Sequence, residues 1–137
     1  GQGFKAGFHS LYMNPNSEVS SHYVVYRDGG IEQWVDEKDG AWANGIVKNP
    51  TWNLYDGTNP NKYTISIEGD GFHDQEWTVE KYNSTLWLLR DIRSRHGLSY
   101  NNNTLIGHYR INSVDRPNCP GPFTPFDELI LDLQDGV

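Results

Sequence analysis

The chain has 137 residues and a formal net charge of −7, from 11 basic and 18 acidic side chains. That length suits one domain, because a chain of ~150 residues buries roughly two-thirds of its unfolded surface unaided. One cysteine excludes a disulfide framework within the chain, scattered Lys and Arg argue against a nucleic-acid partner, and apolar runs such as Leu86–Leu89 cannot span a bilayer.

No basic segment followed by an apolar one opens the chain, so no signal peptide is expected, and Gly1 in place of Met reads as a cut piece of something longer. Phe8, Leu11 and Tyr12 at helical spacing predict a short helix over residues 6–14, stopped by Pro15. Residues 16–21 are polar loop. Residues 22–26 and 31–35 flank a turn holding Gly29 and Gly30, which predicts a β-hairpin. Residues 36–62 are long and irregular, yet Trp42, Trp52 and Tyr55 predict an ordered loop. Alternation of Tyr63, Ile65 and Ile67 with Thr64, Ser66 and Glu68 predicts a strand. The longest predicted helix runs over 79–96, with Thr78 as N-cap, Gly97 as C-cap, and Val79, Tyr82, Leu86, Leu89 and Arg93 on one stripe. Residues 104–108 read as a short buried strand ending in His108. A last helix follows, with Thr124 as cap, Pro125 at its first position, and Phe126, Leu129, Ile130 and Leu133 as its apolar face. The fold class is α/β with a mixed sheet.

Three polar groups stand where predicted strands meet loops: Glu68, His108 and Cys119. Imidazole and thiolate both suit zinc. The spacing alone is weak, since a lone cysteine is more often an inert buried thiol and a strand-end histidine more often just hydrogen-bonded. The run Cys119-Pro120-Gly121-Pro122 tilts the balance toward ligation, because it stiffens the backbone beside the thiol.

Several segments occur in one order across nearly the whole chain. They are Val19-Ser20-Ser21-His22-Tyr23-Val24-Val25 with Arg27-Asp28-Gly29, then Ala41-Trp42-Ala43-Asn44-Gly45, then Tyr63-Thr64-Ile65-Ser66-Ile67-Glu68. Leu86-Trp87-Leu88-Leu89-Arg90, Ile106-Gly107-His108-Tyr109 and Asn118-Cys119-Pro120-Gly121-Pro122-Phe123 follow. Together they resemble the zinc-dependent N-acetylmuramoyl-L-alanine amidases of type 2, which share a fold with phage lysozyme and the peptidoglycan-recognition proteins. The resemblance implies a mixed central β-sheet flanked by helices, here lacking the first strand, in one catalytic domain over residues 1–137 truncated at its N-terminus.

The resemblance also implies Zn2+ held by two histidines and a cysteine or aspartate, with His108 and Cys119 as the second and third ligands. The family's first ligand ends a strand that would precede this chain. His9 lies in a helical segment, closer to His22 than the family spacing, and is disfavoured for that place. Glu68 matches the catalytic carboxylate and so a general base, although on the residues alone it reads as a solvated strand residue. Pro117 stands where relatives often carry a basic residue, leaving Arg116 as the nearest cation for an oxyanion or a substrate carboxylate, or as a surface charge. Ser21 stands where one branch carries a tyrosine, so that route is absent. His22 reads as a packed or hydrogen-bonded residue. Trp42 and Asn44 match a stretch that borders the substrate groove, while His73 and His96 read as residues without a special role.

The activity implied is hydrolysis of the amide between N-acetylmuramic acid and L-alanine, on peptidoglycan offering both glycan strand and stem peptide. The implied enzyme is a monomer without nucleic-acid or membrane partners, acting at the bacterial wall, outside the cell, or released to the wall by a phage. The alternative is a non-catalytic peptidoglycan-binding module of the same fold. The missing first histidine and the absent lysine favour the module, whereas Cys119 and Glu68 favour the enzyme.

A net charge of −7 predicts repulsion from a wall of anionic polymers, and hence a separate wall-binding segment in the parent protein. In a sedimentation assay at low ionic strength the isolated chain is expected to stay in the supernatant with purified walls. Recovery in the pellet contradicts the repulsion.

Overall fold

A computed structural model describes residues 5–17 and 19–135. The predicted hairpin is present: β1 (Tyr23–Val25) pairs antiparallel with β2 (Ile31–Gln33), Val24 opposite Glu32. Gly29 turns the chain at φ 91°, where only glycine is unstrained, and a Cβ there would sit 3.2 Å from Ser84 Oγ. On the other edge β3 (Ile67–Gly69) runs parallel to β1, with Glu68 level with Val24. The sheet is therefore mixed, in the order β2-β1-β3.

Successive strand side chains point to opposite faces, so the sheet has a core on each side. Tyr23 and Val25 pack against Leu88 and Ile92 of α2 (Val79–His96), joined by Ile65 and Ile67. Val24 and Tyr26 pack against Phe8 of α1 (Lys5–Met13), with Tyr12 and Trp34 at the margin. Glu68 shares the parity of Val24 and so belongs to the α1 side. Behind α2, its Leu89 meets Leu129 and Leu133 of α3 (Phe126–Asp135) and Tyr100.

Helix α2 has the predicted bounds and caps. Thr78 Oγ1 accepts from Lys81 N–H at 3.1 Å and donates to the Arg27 carbonyl at 2.5 Å, tying the cap to the hairpin turn. Gly97 adopts the left-handed conformation at φ 68° and its N–H donates to the Arg93 carbonyl. The buried face differs from the predicted stripe. Lys81, Thr85, Leu88, Leu89 and Ile92 point inward, while Val79 lies exposed at 71%. Two polar residues disguise that face in the sequence, and both are satisfied locally: Thr85 Oγ1 donates to the Lys81 carbonyl, and Lys81 Nζ to the Asp70 carbonyl. Arg93 also leaves the apolar stripe, since its guanidinium donates to the Leu133 carbonyl.

Three further expectations are corrected. The strand predicted over 104–108 does not form, because Asn101 accepts from Thr104 N–H and from Leu105 N–H, curling the chain into turns. The strand predicted over 63–68 shrinks to β3: Ser66 N–H donates to the His22 ring, and only its carbonyl, which accepts from Tyr23 N–H, continues the ladder. Thr124 does not cap α3, and its buried hydroxyl makes no hydrogen bond among the described residues. Also among the described residues, no helix is long and apolar enough to cross a membrane.

The long loop is ordered, as predicted, because it is laced to the segment after His108. Lys48 N–H donates to the Ile111 carbonyl, Ser113 N–H to the Lys48 carbonyl, and Thr51 N–H to the Arg110 carbonyl at 2.9 Å. Trp52 is buried, donates to the Asn103 carbonyl, and stacks on Tyr63. At the start of this loop Glu37 is pinned to the end of α2. Both its oxygens are bonded by Arg95, at 2.6 and 2.7 Å, and it also meets His96 and the Tyr23 hydroxyl. The Arg95 hydrogen bonds hold the Glu37 carboxyl down at about 2, against an ordinary 4.5. A carboxyl depressed by folding adds stability that is complete above its unfolded value and lost as pH falls through its folded one. Wild-type protein is therefore expected to lose about 1–2 kcal/mol relative to Glu37→Gln between pH 4.5 and 2, after allowance for partial solvent screening. Urea titrations across that range check it, and parallel pH profiles for the two proteins contradict it.

Candidate active site

His108 opens a single 3-10 turn (His108–Arg110), and Cys119 ends the loop that follows it. A backbone hydrogen bond joins the two segments, with Tyr109 N–H donating to the Cys119 carbonyl at 3.0 Å. Gly107 makes the approach possible: a Cβ there would lie 2.7 Å from Pro120 Cδ and from the Tyr109 ring. Buried Asn112 organises the loop between them. Its Oδ1 accepts from Val114 and Asp115 N–H, its N–H donates to the His108 carbonyl, and its Nδ2 to the Ile46 carbonyl.

These segments wall an open pocket of about 460 Å³ that brings together Trp42, Glu68, His108, Arg116 and Cys119. Five of the six site residues named from the sequence thus share one cavity. Trp42 is 56% exposed and anchored through its backbone to Ser20, which leaves its ring available to a ligand. Asn44 is placed differently. Its amide is turned away, donating to Asn61 Oδ1 at 2.8 Å and Thr64 Oγ1 at 3.3 Å. His73, read from the sequence as having no special role, also lines the pocket, as does Asp115, which pairs with Lys48 at 3.0 Å. Nothing in the sequence marked either, because their position depends on how two loops meet. A larger cavity of about 610 Å³ lies between β3, α2 and α3 among Ile67, Leu89, Leu105 and Leu129, and includes neither His108 nor Cys119.

The hydrogen bonds assign the histidines. His108 Nε2 lies 2.6 Å from the Asn44 carbonyl, which can only accept, so Nε2 carries the proton and Nδ1 keeps its lone pair. His22 is 1% exposed and uses both nitrogens, Nε2 on the Asp39 carbonyl and Nδ1 with Ser66, as expected of a packed residue. His9 is held elsewhere, by Glu32 at 2.8 Å and edge-on to Trp34. Burial pushes the Cys119 thiol above its ordinary range, Glu68 adds to the rise, and Arg116 opposes it. An imidazole with a carbonyl behind it and a nearby thiol are donors of the kind zinc takes. In number they fall short, because among the described residues no third histidine, cysteine, aspartate or glutamate completes a cluster.

Glu68 is held from behind. Lys81, 6% exposed on α2, donates to the Asp70 carbonyl at 2.8 Å, and its ammonium lies 4.2 Å from the centre of the Trp77 ring. A Cβ at Gly69 would meet that ammonium at 2.8 Å, so a side chain after Glu68 would displace the end of Lys81.

The profile of a family described as N-acetylmuramoyl-L-alanine amidase matches residues 2–122. N-acetylmuramoyl-L-alanine amidase A of Achromobacter lyticus is 33% identical over 101 residues, covering 72% of this chain and 50% of its own length. The 1,6-anhydro-N-acetylmuramyl-L-alanine amidase AmpD of Haemophilus influenzae is 27% identical over 116 residues, covering 85% of this chain and 59% of its own. Among solved structures, the E. coli amidase AmiD in complex with anhydro-N-acetylmuramic acid-L-Ala-D-gamma-Glu-L-Lys superposes with a TM-score of 0.73 at 25% identity, over 98% of this chain and 53% of AmiD. The chain thus spans about half the length of the curated relatives it matches.

Burial lowers the Lys81 ammonium to about 8, against an ordinary 10.5. Between those values the folded state has released a proton that the unfolded state retains, so this residue's contribution to stability rises with pH. The urea midpoint of wild type minus that of Lys81→Met is expected to increase from about pH 8 to pH 10. A difference that stays constant shows that Lys81 is not buried as an ammonium.

Proposed function

The chain belongs to the N-acetylmuramoyl-L-alanine amidase family, and on that premise we propose that it hydrolyses the amide joining N-acetylmuramic acid to L-alanine in peptidoglycan. The convergence of Glu68, His108, Cys119 and Arg116 on one open pocket carries the reading. His108, through Nδ1, and Cys119, as thiolate, would hold a zinc ion, which supplies Lewis acidity toward the scissile carbonyl. Catalytic zinc sites use three protein ligands as a rule, so with two the affinity of this chain by itself is low.

The remaining roles belong to the chain's own groups. Glu68 takes the proton from the attacking water and returns it to the departing L-alanine amine. The Arg116 guanidinium on the pocket wall offsets the charge that develops on the carbonyl oxygen. Exposed Trp42 offers a flat apolar face to a sugar ring or the stem peptide. Peptidoglycan as substrate puts the work at the bacterial wall, by an autolysin or a phage-encoded lysin acting as a single monomeric domain.

The two-donor set favours a second reading, a module of this fold that binds peptidoglycan without cleaving it. Turnover separates them. Full-length protein is expected to release new L-alanine amino groups from purified peptidoglycan, and Glu68→Gln to lower kcat about 10²–10⁴-fold while still binding the polymer. An undiminished rate in that variant removes the general base. Binding without turnover in the wild type selects the module.

A further inference from the structure

Asn44 lies outside the pocket lining, yet its carbonyl is the group that His108 Nε2 meets at 2.6 Å. What fixes that carbonyl is Asn61. A single acceptor, Asn61 Oδ1, takes both the backbone N–H of Asn44 at 3.0 Å and its side-chain amide at 2.8 Å. We propose that Asn61 is a positioning residue for His108: by gripping Asn44 twice it aims the Asn44 carbonyl at Nε2 and so keeps Nδ1 as the lone-pair nitrogen.

Asn61 is itself rigidly seated. It lies in the 3-10 turn Pro60–Lys62, whose cap Asn59 accepts from Asn61 N–H at 3.0 Å. Lys62 N–H closes the turn on the Asn59 carbonyl, and Pro60 is buried. Gly40 presses on the other side, since a Cβ there would stand 3.0 Å from the Asn61 carbonyl oxygen. Thr64 completes the frame, donating to the Pro60 carbonyl at 2.8 Å and accepting from Asn44 Nδ2. A chain of hydrogen bonds therefore runs from the turn before β3, through Asn44, to the ring of His108. The acceptor is what matters: aspartate retains it, leucine of similar shape does not. Partners of this sort orient a ligating histidine, and their loss typically costs 10–100-fold in metal affinity.

The role as metal positioner rests on His108 being the ligand proposed above, and the ring proton is read without metal or activity. In NMR spectra at about pH 8, where an ordinary imidazole is neutral, wild type and Asn61→Asp are expected to show a His108 Nε2–H protected from solvent exchange. Asn61→Leu is expected to lose that protection while the His22 Nε2–H, bonded to the Asp39 carbonyl, stays protected as an internal control of folding. Should the leucine variant not fold, Asn61→Ser replaces it, its hydroxyl being too short to reach Asn44. Cobalt titration of the same proteins, followed by thiolate charge-transfer absorbance, is expected to show affinity about tenfold lower in the variant without the acceptor and unchanged in Asn61→Asp. A protected His108 proton in the leucine or serine variant, or an Nδ1–H tautomer in the wild type, overturns the proposal. A protected proton in the wild type together with a cobalt affinity that His108→Ala leaves unchanged overturns instead the assignment of His108 as ligand, and the metal role of Asn61 with it.

Discussion

The hydrogen bond from Tyr109 N–H to the Cys119 carbonyl is the contact on which the site depends. It crosses the open end of a loop whose two termini carry the metal-type donors. One such bond contributes only about 1 kcal/mol net, so it holds because its surroundings permit little else. Gly107 removes the side chain that would hold Pro120 away, and Asn112 uses its Oδ1 on the loop interior while its Nδ2 ties the loop to the Ile46 carbonyl. Neighbouring strands are not needed to bring imidazole and thiol together. A short turn, a buried asparagine and a glycine suffice.

The sheet contributes something different, a division of labour by parity. Ile67 and Gly69 face α2 and serve packing, while Glu68 between them faces the pocket. Lys81 takes advantage of the bare Gly69 to reach the Asp70 carbonyl, so the carboxylate is backed by an ammonium buried on the far side. Burying that charge is unfavourable, which is why its proton is held less tightly than that of an ordinary lysine. The arrangement trades stability for a fixed backbone behind Glu68.

Much of this was legible where local chemistry decides the outcome. The hairpin follows from apolar runs around Gly29 and Gly30, and the ends of α2 from Thr78 and Gly97, whose capping needs only neighbours a turn away. The convergence of Glu68, His108 and Cys119 was legible only through resemblance, because no local rule joins residues 68 and 119. Failures came where polar side chains displaced backbone ladders. Ser66 satisfies the His22 ring and shortens β3, and Asn101 gathers the N–H groups of Thr104 and Leu105 before they can pair. Buried Lys81 and Thr85 hid the inner face of α2 for a related reason: hydropathy counts them as outward, whereas Lys81 bonds to the Asp70 carbonyl and Thr85 to the helix's own backbone. Asn44 matches a stretch that borders a substrate groove, and nothing in the sequence shows that its amide is taken by Asn61.

The state of Cys119 narrows the chemistry that the pocket supports. A nucleophilic cysteine needs its thiolate at neutral pH, and proteins obtain it by lowering the thiol's pKa with nearby cations or a helix N-terminus. Here burial acts in the opposite direction, Glu68 reinforces it, and Arg116 offsets only part. Covalent catalysis by Cys119 is therefore disfavoured by the same contacts that suit it as a donor. A thiol in this setting loses its proton when a cation takes its place, which couples ion uptake to proton release. Glu68 faces the same pocket from a strand backed by Lys81, which fixes where its carboxylate stands relative to that donor.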